Sequence, residues 1–227
     1  QTVRSYGELP IFQSSLKLIK TGNQQTVRIE MEYIKINCEW SQDLLKAIEW
    51  KTFESFCVEL MRAGKFQAFQ TPIGKDQGID IFAYKDGDFE NPEAIAQCKA
   101  WATVKVGVKN IREFYGAMSA NGIEKGFYFI TGEYTEDAVE FAEKNKIQIF
   151  DGEKIVHLIT RAPKAVQDYF KKFLEMNNFV YPTCPSCNKK MYLRSSKKNV
   201  DERFWGCQNF PICKQTFKVS QYQEKFL

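Results

Sequence analysis

The spacing of apolar side chains in the first half of the chain predicts one helix and several strands. Apolar and polar residues alternate at 27–33, as in a half-buried strand that forms a hairpin with the apolar run at 16–19. Residues 41–64 carry apolar side chains at helical spacing, and Gly64 supplies a stop signal. Three further strands are predicted at 66–71, 78–84 and 94–99.

Helices and strands alternate in the next segment. An apolar stripe marks a helix at about 106–121, a strand follows at 126–131, and Thr135 is placed to cap a helix that ends near 145. A strand at 147–150 and two helices complete the pattern. The order βββαβαβ with flanking helices predicts an α/β fold whose sheet is covered on both faces.

Four cysteines near the end of the sequence have the spacing of a metal site. Cys184 and Cys187 are separated by two residues, and Cys207 and Cys213 by five. Two such pairs across a basic, aromatic segment predict a tetrahedral zinc site in a ribbon at 183–220, preceded by a linker at 177–182. A ribbon this short depends on its metal for folding energy. Disulfide pairing is the alternative, but the total of seven cysteines is odd.

Charge and composition narrow the class of protein. The net charge of +4 divides into +6 on residues 181–227, with nine Lys or Arg against three acidic residues, and −2 on the rest. Such asymmetry is a common footprint of nucleic-acid binding. The single histidine, His157, argues against sites built from two or more histidines. With no membrane span or signal segment in view, we expect reduced thiols and a cytoplasmic protein without a membrane partner.

Polar residues on two neighbouring predicted strands form a candidate catalytic group. Asp80 lies between two isoleucines in the strand at 78–84, where a carboxylate is disfavoured. Gln97 and Lys99 are two residues apart in the next strand and therefore point to one face. We expect Asp80 to converge with them there. The opposite, apolar side is predicted to hold Ile79, Ile81, Ala96 and Cys98.

A carboxylate on the first helix is expected to join this group. The neighbours of Glu54 one helical turn away are apolar, which penalises an unpaired charge. Carboxylate and amide oxygens suit a hard cation such as Mg2+, and a lysine can orient the attacking water in phosphodiester hydrolysis. The alternatives are structural. Glu54 could pair with a buried Lys or Arg, and Asp80 could cap a turn or pair with an arginine. Lys99 could be a charge that prevents an edge strand from pairing with another chain.

Motifs around these residues resemble the Mrr-like restriction endonuclease catalytic domain over roughly residues 48–160. They are Trp50-x-x-Phe53-Glu54, Asp76-x-Gly78-Ile79-Asp80, Gln97-Cys98-Lys99-x-Trp101, Ile111-Arg112-Glu113-Phe114-Tyr115-Gly116 and Phe150-Asp151-Gly152-x-x-Ile155. The resemblance implies a restriction-endonuclease-like core at 41–176, with a mixed central sheet flanked by helices. It also implies Mg2+-dependent cleavage of DNA, often modified or foreign DNA.

The same resemblance implies a role for each candidate residue. By position, Asp80 resembles the metal ligand of the PD-(D/E)xK superfamily and Lys99 its catalytic lysine. Gln97 occupies the second-acid position, which the Mrr-like branch accepts as Gln at the cost of one negative charge. Glu54 resembles the helix carboxylate. Asp76 is a secondary candidate, or only a loop-turn residue.

The C-terminal motifs closely resemble the four-cysteine zinc ribbon of bacterial type I topoisomerases. They are Cys184-Pro185-x-Cys187, Met191-x-Leu193-Arg194-Ser195 and Phe204-Trp205-Gly206-Cys207-x-x-Phe210-Pro211-x-Cys213. The resemblance implies structural Zn2+ and DNA contacts by a β-ribbon, since basic side chains meet phosphates and aromatic rings stack on bases. Trp205 could equally pack the small core of the ribbon. Our candidates for DNA contact are Arg194, Lys197, Lys198 and Trp205.

These features together predict a metal-dependent DNA endonuclease of restriction type whose ribbon aids DNA binding. We expect a homodimer or larger assembly, because restriction-type nucleases with this core commonly cut two strands with two active sites, and a nucleoid location in a bacterial cytoplasm. A non-catalytic DNA-binding adaptor is the alternative from another class, and a junction or repair nuclease would share the core chemistry. No function is assigned to the N-terminal β-hairpin segment at 1–40.

Overall fold

The computed structural model describes residues 34–72, 78–85, 88–196 and 202–227, which belong to one compact unit. Its helices are α1, Gln42–Ala47; α2, Trp50–Ala63; α3, Val108–Ala120; α4, Glu136–Lys144; α5, Gly152–Arg161; and α6, Lys164–Met176. Its strands are β1, Gln67–Gln70; β2, Ile81–Tyr84; β3, Ala94–Lys99; β4, Lys125–Ile130; β5, Ile147–Phe150; β6, Met191–Ser195; β7, Arg203–Cys207; and β8, Thr216–Lys218. A 3-10 helix covers Gln223–Phe226.

The predicted N-terminal hairpin lies outside the described residues, apart from 34–40. None of the helices described is long and apolar enough to cross a lipid bilayer.

Five strands form a mixed sheet in the spatial order β1-β2-β3-β4-β5. β2 pairs antiparallel with both β1 and β3, whereas β3, β4 and β5 run parallel to one another. Parallel neighbours need a crossover connection, which α3 and α4 supply. The mixed sheet implied by the resemblance to the Mrr-like domain is therefore confirmed.

Helices cover both faces of the sheet, each over its own hydrophobic core. On one face, side chains of α2, α5 and α6 pack against strand residues that include Ala96 and Cys98. On the other face, α3 and α4 pack against strand residues that include Ile95 and Ile130. Successive residues of β3 belong to opposite cores because side chains alternate along a strand. Gln97 therefore shares the face of Ile95.

Residues 41–64 form two helices, rather than the single helix that their spacing predicts. Ser41 caps α1 with its hydroxyl group. The backbone is extended at Ile48, and Glu49 then caps α2 by accepting a hydrogen bond from the amide of Thr52 at 2.8 Å. Apolar spacing does not reveal this break, because Ile48 remains buried although it leaves the helix.

The strand β2 begins at Ile81, later in the sequence than predicted. Gly78 precedes it with a φ of 81°, a left-handed conformation that favours glycine. Strand alternation does not extend back through this turn, so Ile79 packs with Ile95 on the α3 side while Ile81 faces α2. The expected apolar set is therefore wrong for Ile79 and correct for its other three members.

The ribbon is a second sheet, of strand order β6-β7-β8, that is packed onto the α/β core. Phe179 and Val180, inside the segment predicted as a linker, are fully buried. They belong to the same hydrophobic cluster as Phe53 of α2 and Trp205 of the ribbon. The core and the ribbon are thus joined by continuous apolar packing.

Candidate active site and zinc-binding cluster

Asp80 and Gln97 meet where β2 begins beside β3. The side-chain amide nitrogen of Gln97 donates to Asp80 Oδ2, and the backbone N–H of Cys98 donates to the same oxygen at 2.7 Å. The ladder fixes this meeting, since the backbone N–H of Asp80 donates to the carbonyl oxygen of Ala96 at 2.9 Å. Gln97 is buried and Asp80 is half-buried. The carboxylate is therefore oriented by two donors at the rim of the sheet.

Glu54 approaches Asp80 from α2. Its Oε2 accepts a hydrogen bond from the side-chain amide of Gln70 at 2.6 Å. Burial, followed by the negative charge of Asp80, raises the pKa of Glu54 from 4.5 to about 7, although the bond from Gln70 acts in the opposite direction. A buried carboxylate next to a second carboxylate is typical of sites that bind a cation or a proton.

Gln70 is a residue of the candidate site that the sequence motifs do not indicate. It lies at the end of β1, two residues beyond the buried Ala68, so both face α2. The available signal was a polar residue at an inward position of a short strand. The sequence does not show that this strand lies next to Glu54.

Lys99 ends β3, on the face that Gln97 occupies two residues earlier. Its ammonium nitrogen lies 5.8 Å from the centroid of the Trp101 ring, and its side chain is half-buried. The structure therefore places Lys99 next along the strand from the Asp80–Gln97 pair, with its charge held near an aromatic face. Asp76 lies outside the described residues, and its role stays a prediction.

Two buried thiols lie close to the carboxylates. Burial raises the pKa of Cys57 in α2 and raises that of Cys98 in β3 well above its usual value. The charges of Asp80 and Glu54 act in the same direction. Both thiols are therefore protonated at neutral pH and add no charge to the site.

The four ribbon cysteines form a compact sulfur cluster. The Sγ atoms of Cys184, Cys187, Cys207 and Cys213 all lie within 4.8 Å of one another. Two of the separations are 3.6 Å, between Cys184 and Cys213, and 3.4 Å, between Cys187 and Cys207. These are far longer than a disulfide bond of about 2.05 Å and near the edge of about 3.8 Å of a tetrahedron with zinc–sulfur bonds of about 2.3 Å. The donor set and its shape therefore fit Zn2+.

The pKa of the Cys184 thiol is lowered, which favours metal binding. Burial, the largest influence, raises its pKa, but hydrogen bonds from the backbone N–H groups of Cys187 and Ser186 outweigh burial and lower it to about 7. Since the thiolate is the form that binds metal, this cysteine offers a ligand near neutral pH without a large proton cost.

Trp205 is a core residue of the ribbon, so its predicted contact with DNA is wrong. The side chain is fully buried, and its indole N–H donates to Gln223 Oε1 at 3.1 Å. Its ring packs against that of Tyr181, with centroids 5.3 Å apart. Gln223, which follows the ribbon strands, and Tyr181, which precedes them, cover the Trp205 side chain, and the sequence motif includes neither residue.

The exposed aromatic ring of the ribbon is Phe210, which is 61% exposed. The guanidinium of Arg194 lies 6.0 Å from its ring centroid, on the exposed part of β6. Arg194 is therefore accessible to a ligand, whereas Lys190 is turned inward and pairs with Glu49 at 3.2 Å. Lys197 and Lys198 lie outside the described residues.

Residues 45–159, slightly more than half of the chain, match the sequence model of the Mrr-type restriction endonuclease domain. The chain belongs to the Mrr-type restriction endonuclease family. Its four core candidates, Glu54, Asp80, Gln97 and Lys99, all lie within the matched segment. Residues 182–222 match the model of the topoisomerase DNA-binding C4 zinc finger. This Mrr-family chain thus combines a nuclease domain with a zinc ribbon.

Part of the chain is also similar to a characterised enzyme and to solved structures. The type IV methyl-directed restriction enzyme EcoKMrr of Escherichia coli K12 is 30% identical over 87 residues, which cover 33% of this chain and 28% of that enzyme. The DNA modification-dependent restriction endonuclease AspBHI has 17% identity and a TM-score of 0.45, over 69% of this chain and 45% of its own. MspJI restriction endonuclease in complex with a 27-mer oligonucleotide has 12% identity and a TM-score of 0.39, over 64% of this chain and 35% of its own. The Mrr-family chain therefore matches only part of the length of each.

Membership of the Mrr family implies a divalent metal, and the donor set of the core fits one. Asp80 and Glu54 offer carboxylate oxygens, the ligands that hard cations prefer. The raised pKa of Glu54 reflects burial first and the negative charge of Asp80 second, and a cation would relieve both. Gln97 directs its amide nitrogen at Asp80, so in this arrangement it orients the carboxylate.

Proposed function

We propose that this Mrr-family chain is an Mg2+-dependent DNA endonuclease with a structural zinc ion. The observation that carries the proposal is the contact of Asp80 with Gln97 on neighbouring strands, next to the high-pKa carboxylate of Glu54. Two acids that interact in this way are costly in a purely structural site, because each disfavours the charge of the other. A cation held by Asp80 and Glu54 would offset that cost with favourable charge interactions.

Each residue of the site has a separate part in this proposal. Asp80 and Glu54 hold the cation, which, when bound, acidifies a water and neutralises charge on the phosphate. Gln97 and the backbone N–H of Cys98 fix the orientation of Asp80. Lys99 donates hydrogen bonds to the attacking water or to a phosphate oxygen, and the Trp101 ring limits the positions that its ammonium reaches.

The proposed DNA contacts of the ribbon centre on its exposed side chains. Arg194 is accessible and lies against the exposed ring of Phe210, so a phosphate contact and a base-stacking surface occur side by side. Lys197 and Lys198 follow Arg194 closely in the sequence and extend the positive charge. The ribbon then holds DNA while the core cuts it.

We further propose that the substrate is modified or foreign DNA. The support is the 30% identity with a methyl-directed enzyme over part of the chain. A junction or repair nuclease would use the same residues, so a panel of methylated, unmodified and branched duplexes separates the two. Preferential cleavage of methylated duplexes is expected, and equal cleavage of all three contradicts this substrate class.

Cutting both strands of a duplex further suggests a homodimer or larger assembly acting on the bacterial nucleoid. Light scattering with and without DNA measures the assembly, and a strict monomer in both states contradicts it.

A non-catalytic DNA-binding adaptor is the second candidate. The observation that favours it is the neutral Gln97 in the position of a second acid, which leaves less negative charge for a cation. Calorimetric titration with Mg2+ and Mn2+ distinguishes the two functions. Binding that is lost in the variant Asp80→Asn is expected for a nuclease, whereas the absence of binding to the wild-type protein favours the adaptor.

The direct test is cleavage of plasmid DNA with purified protein and Mg2+. Asp80→Asn and Lys99→Met are expected to lower the cleavage rate by about 100-fold or more, since each removes a group that acts on the transition state. Lys109→Met is a matched control, because Lys109 is an exposed lysine on α3. Cleavage by the Asp80 and Lys99 variants at the wild-type rate contradicts the proposed site.

A further inference from the structure

A buried carboxylate at the junction of the core and the ribbon has no part in the site described above. Glu49 caps α2, and its side chain is only 1% exposed. A charge so buried is costly unless it is paired and hydrogen-bonded. Three donors come from its own helix: the amides of Lys51 and Thr52 and the hydroxyl of Thr52, at 3.1, 2.8 and 2.6 Å.

Three further donors to Glu49 come from the ribbon. The amide and hydroxyl of Thr183 donate at 3.1 and 3.2 Å, and the ammonium of Lys190 donates at 3.2 Å. Thr183 and Lys190 also pair with each other as a β-bridge. This bridge closes the loop that holds Cys184 and Cys187, which we call the first zinc knuckle. One buried carboxylate therefore links the start of α2 to the base of this knuckle.

The two residues that follow Glu49 strengthen the same junction. The indole N–H of Trp50 donates to the carbonyl oxygen of Thr183 at 2.7 Å. The ammonium of Lys51 donates to Asn188 Oδ1, inside the first zinc knuckle. A ribbon of this size depends on its metal to stay folded. Loss of zinc therefore removes partners from three consecutive residues at the start of α2.

The helix that begins at this junction also carries Glu54. The two glutamates are five residues apart, so Glu54 lies about 7.5 Å along the helix axis from the cap. We propose that Glu49 is a positioning residue that couples zinc binding in the ribbon to the placement of Glu54 at the candidate active site. The catalytic consequence rests on the proposed function, whereas the coupling between zinc and α2 does not.

The first test measures zinc affinity by competition with a chromophoric chelator. Lys190→Met removes the ion pair to Glu49 and leaves all four cysteines in place. Its expected effect is a zinc affinity about tenfold weaker, within the usual range of coupling between sites. Lys190→Arg retains the charge and is expected to restore the affinity. Lys189→Met is the matched control, because Lys189 is an exposed neighbour that loses the same charge.

The second test follows amide hydrogen exchange in the wild-type protein with zinc bound and after its removal. Exchange in the first two turns of α2 is expected to quicken about tenfold or more on removal, as in local opening of a helix end. Exchange in α3, which packs on the other face of the sheet, reports global unfolding and is expected to change less. An equal change in both helices overturns the proposal, as does equal zinc affinity of the Lys190→Met and Lys189→Met proteins.

The third test compares DNA cleavage by the same zinc-loaded variants in Mg2+. Lys190→Met is expected to lower kcat and to raise the Mg2+ concentration needed for half the maximal rate. Lys190→Arg is expected to restore both values. If the wild-type protein fails to cut DNA while zinc and α2 remain coupled, the proposed function fails and the coupling stands. If the wild-type protein cuts DNA and Lys190→Met matches Lys189→Met in zinc affinity and rate, the coupling fails and the function stands.

Discussion

At the scale of single residues, the proton on Glu54 controls the charge of the candidate site near neutral pH. Burial and the charge of Asp80 raise its pKa from 4.5 to about 7. The folded protein therefore keeps a proton that the unfolded chain releases above about pH 4.5. The stability linked to this proton is complete below pH 4.5 and is lost as the pH rises through about 7.

The variant Glu54→Gln is expected to be more stable than the wild type at high pH and inactive in cleavage. Without Mg2+ and with zinc bound, the stability advantage should grow from near zero at about pH 4 to about 2–3 kcal/mol at pH 8. Urea unfolding across this pH range measures it. Glu140→Gln, on an exposed helical position, is the control and should follow the wild-type profile. Parallel profiles for the wild type and Glu54→Gln would contradict the raised pKa.

Pairing of the two neighbouring strands was sufficient to bring Asp80 and Gln97 together from the sequence, because the antiparallel ladder places Asp80, just before β2, beside Gln97. Alternation was misleading for Ile79, which precedes the start of β2 and follows the turn at Gly78. Trp205 shows a different limit. Its burial depends on Gln223 and Tyr181, and no local pattern indicates that these residues cover it.

At the scale of elements, the end of β4 and the start of α5 approach too closely for any side chain between them. The backbone N–H of Gly152 donates to the carbonyl oxygen of Gly132 at 3.1 Å. A Cβ atom on Gly152 would overlap the carbonyl oxygen of Thr131, which is backbone and cannot rotate away. The amide of Thr131 in turn donates to the carbonyl oxygen of Lys99 at 3.2 Å, so this junction also supports β3, which carries Gln97 and Lys99.

Gly152→Ala is therefore expected to destabilise the protein by about 1–3 kcal/mol, the range for overpacking a buried site. Gly116→Ala is the matched control. Gly116 lies inside α3 with nothing within 4 Å of an added Cβ atom, so alanine there should stabilise by about 0.5–1 kcal/mol. Chemical denaturation measures both changes, and equal stability of the two variants would refute the close approach.

The existence and order of the core elements could be predicted, since long periodic segments carry a strong signal. The division of the first helix could not, because Ile48 keeps the apolar pattern while its backbone is extended. The physical cause of this division is Glu49. Its carboxylate caps α2 and accepts a hydrogen bond from the backbone N–H of Thr183 in the ribbon. A partner so distant in sequence leaves no local trace.

At the scale of the whole molecule, the basic tail and the mildly acidic body are partly neutralised by each other. Lys190 pairs with Glu49, and Lys225 pairs with Asp43 at 2.5 Å. The charge counted from the sequence is therefore not all available to DNA. Composition correctly indicated the asymmetry but could not show how much of it serves the contact between core and ribbon.

The shared hydrophobic packing predicts that the core and the ribbon unfold together. Chelation of zinc is expected to lower the midpoint of thermal unfolding of the whole protein by about 2–4 °C, which corresponds to about 1 kcal/mol of global stability. Release of zinc to a chromophoric chelator, which reports the ribbon, and far-ultraviolet circular dichroism, which reports the helices of the core, should change in one transition. Restoring zinc is the control. Two separate transitions in the zinc-bound protein would contradict a common folding unit.

The hydrogen bond from Trp50 to Thr183 joins residues 133 positions apart in the chain. During translation, the start of α2 leaves the ribosome long before the residues that hold it have been made. Contacts of such separation form late, because a long loop must first close. The placement of Glu54 proposed above is therefore completed only after the segment that binds zinc has been synthesised. An unfinished chain would lack both the zinc ribbon and a fully assembled candidate site.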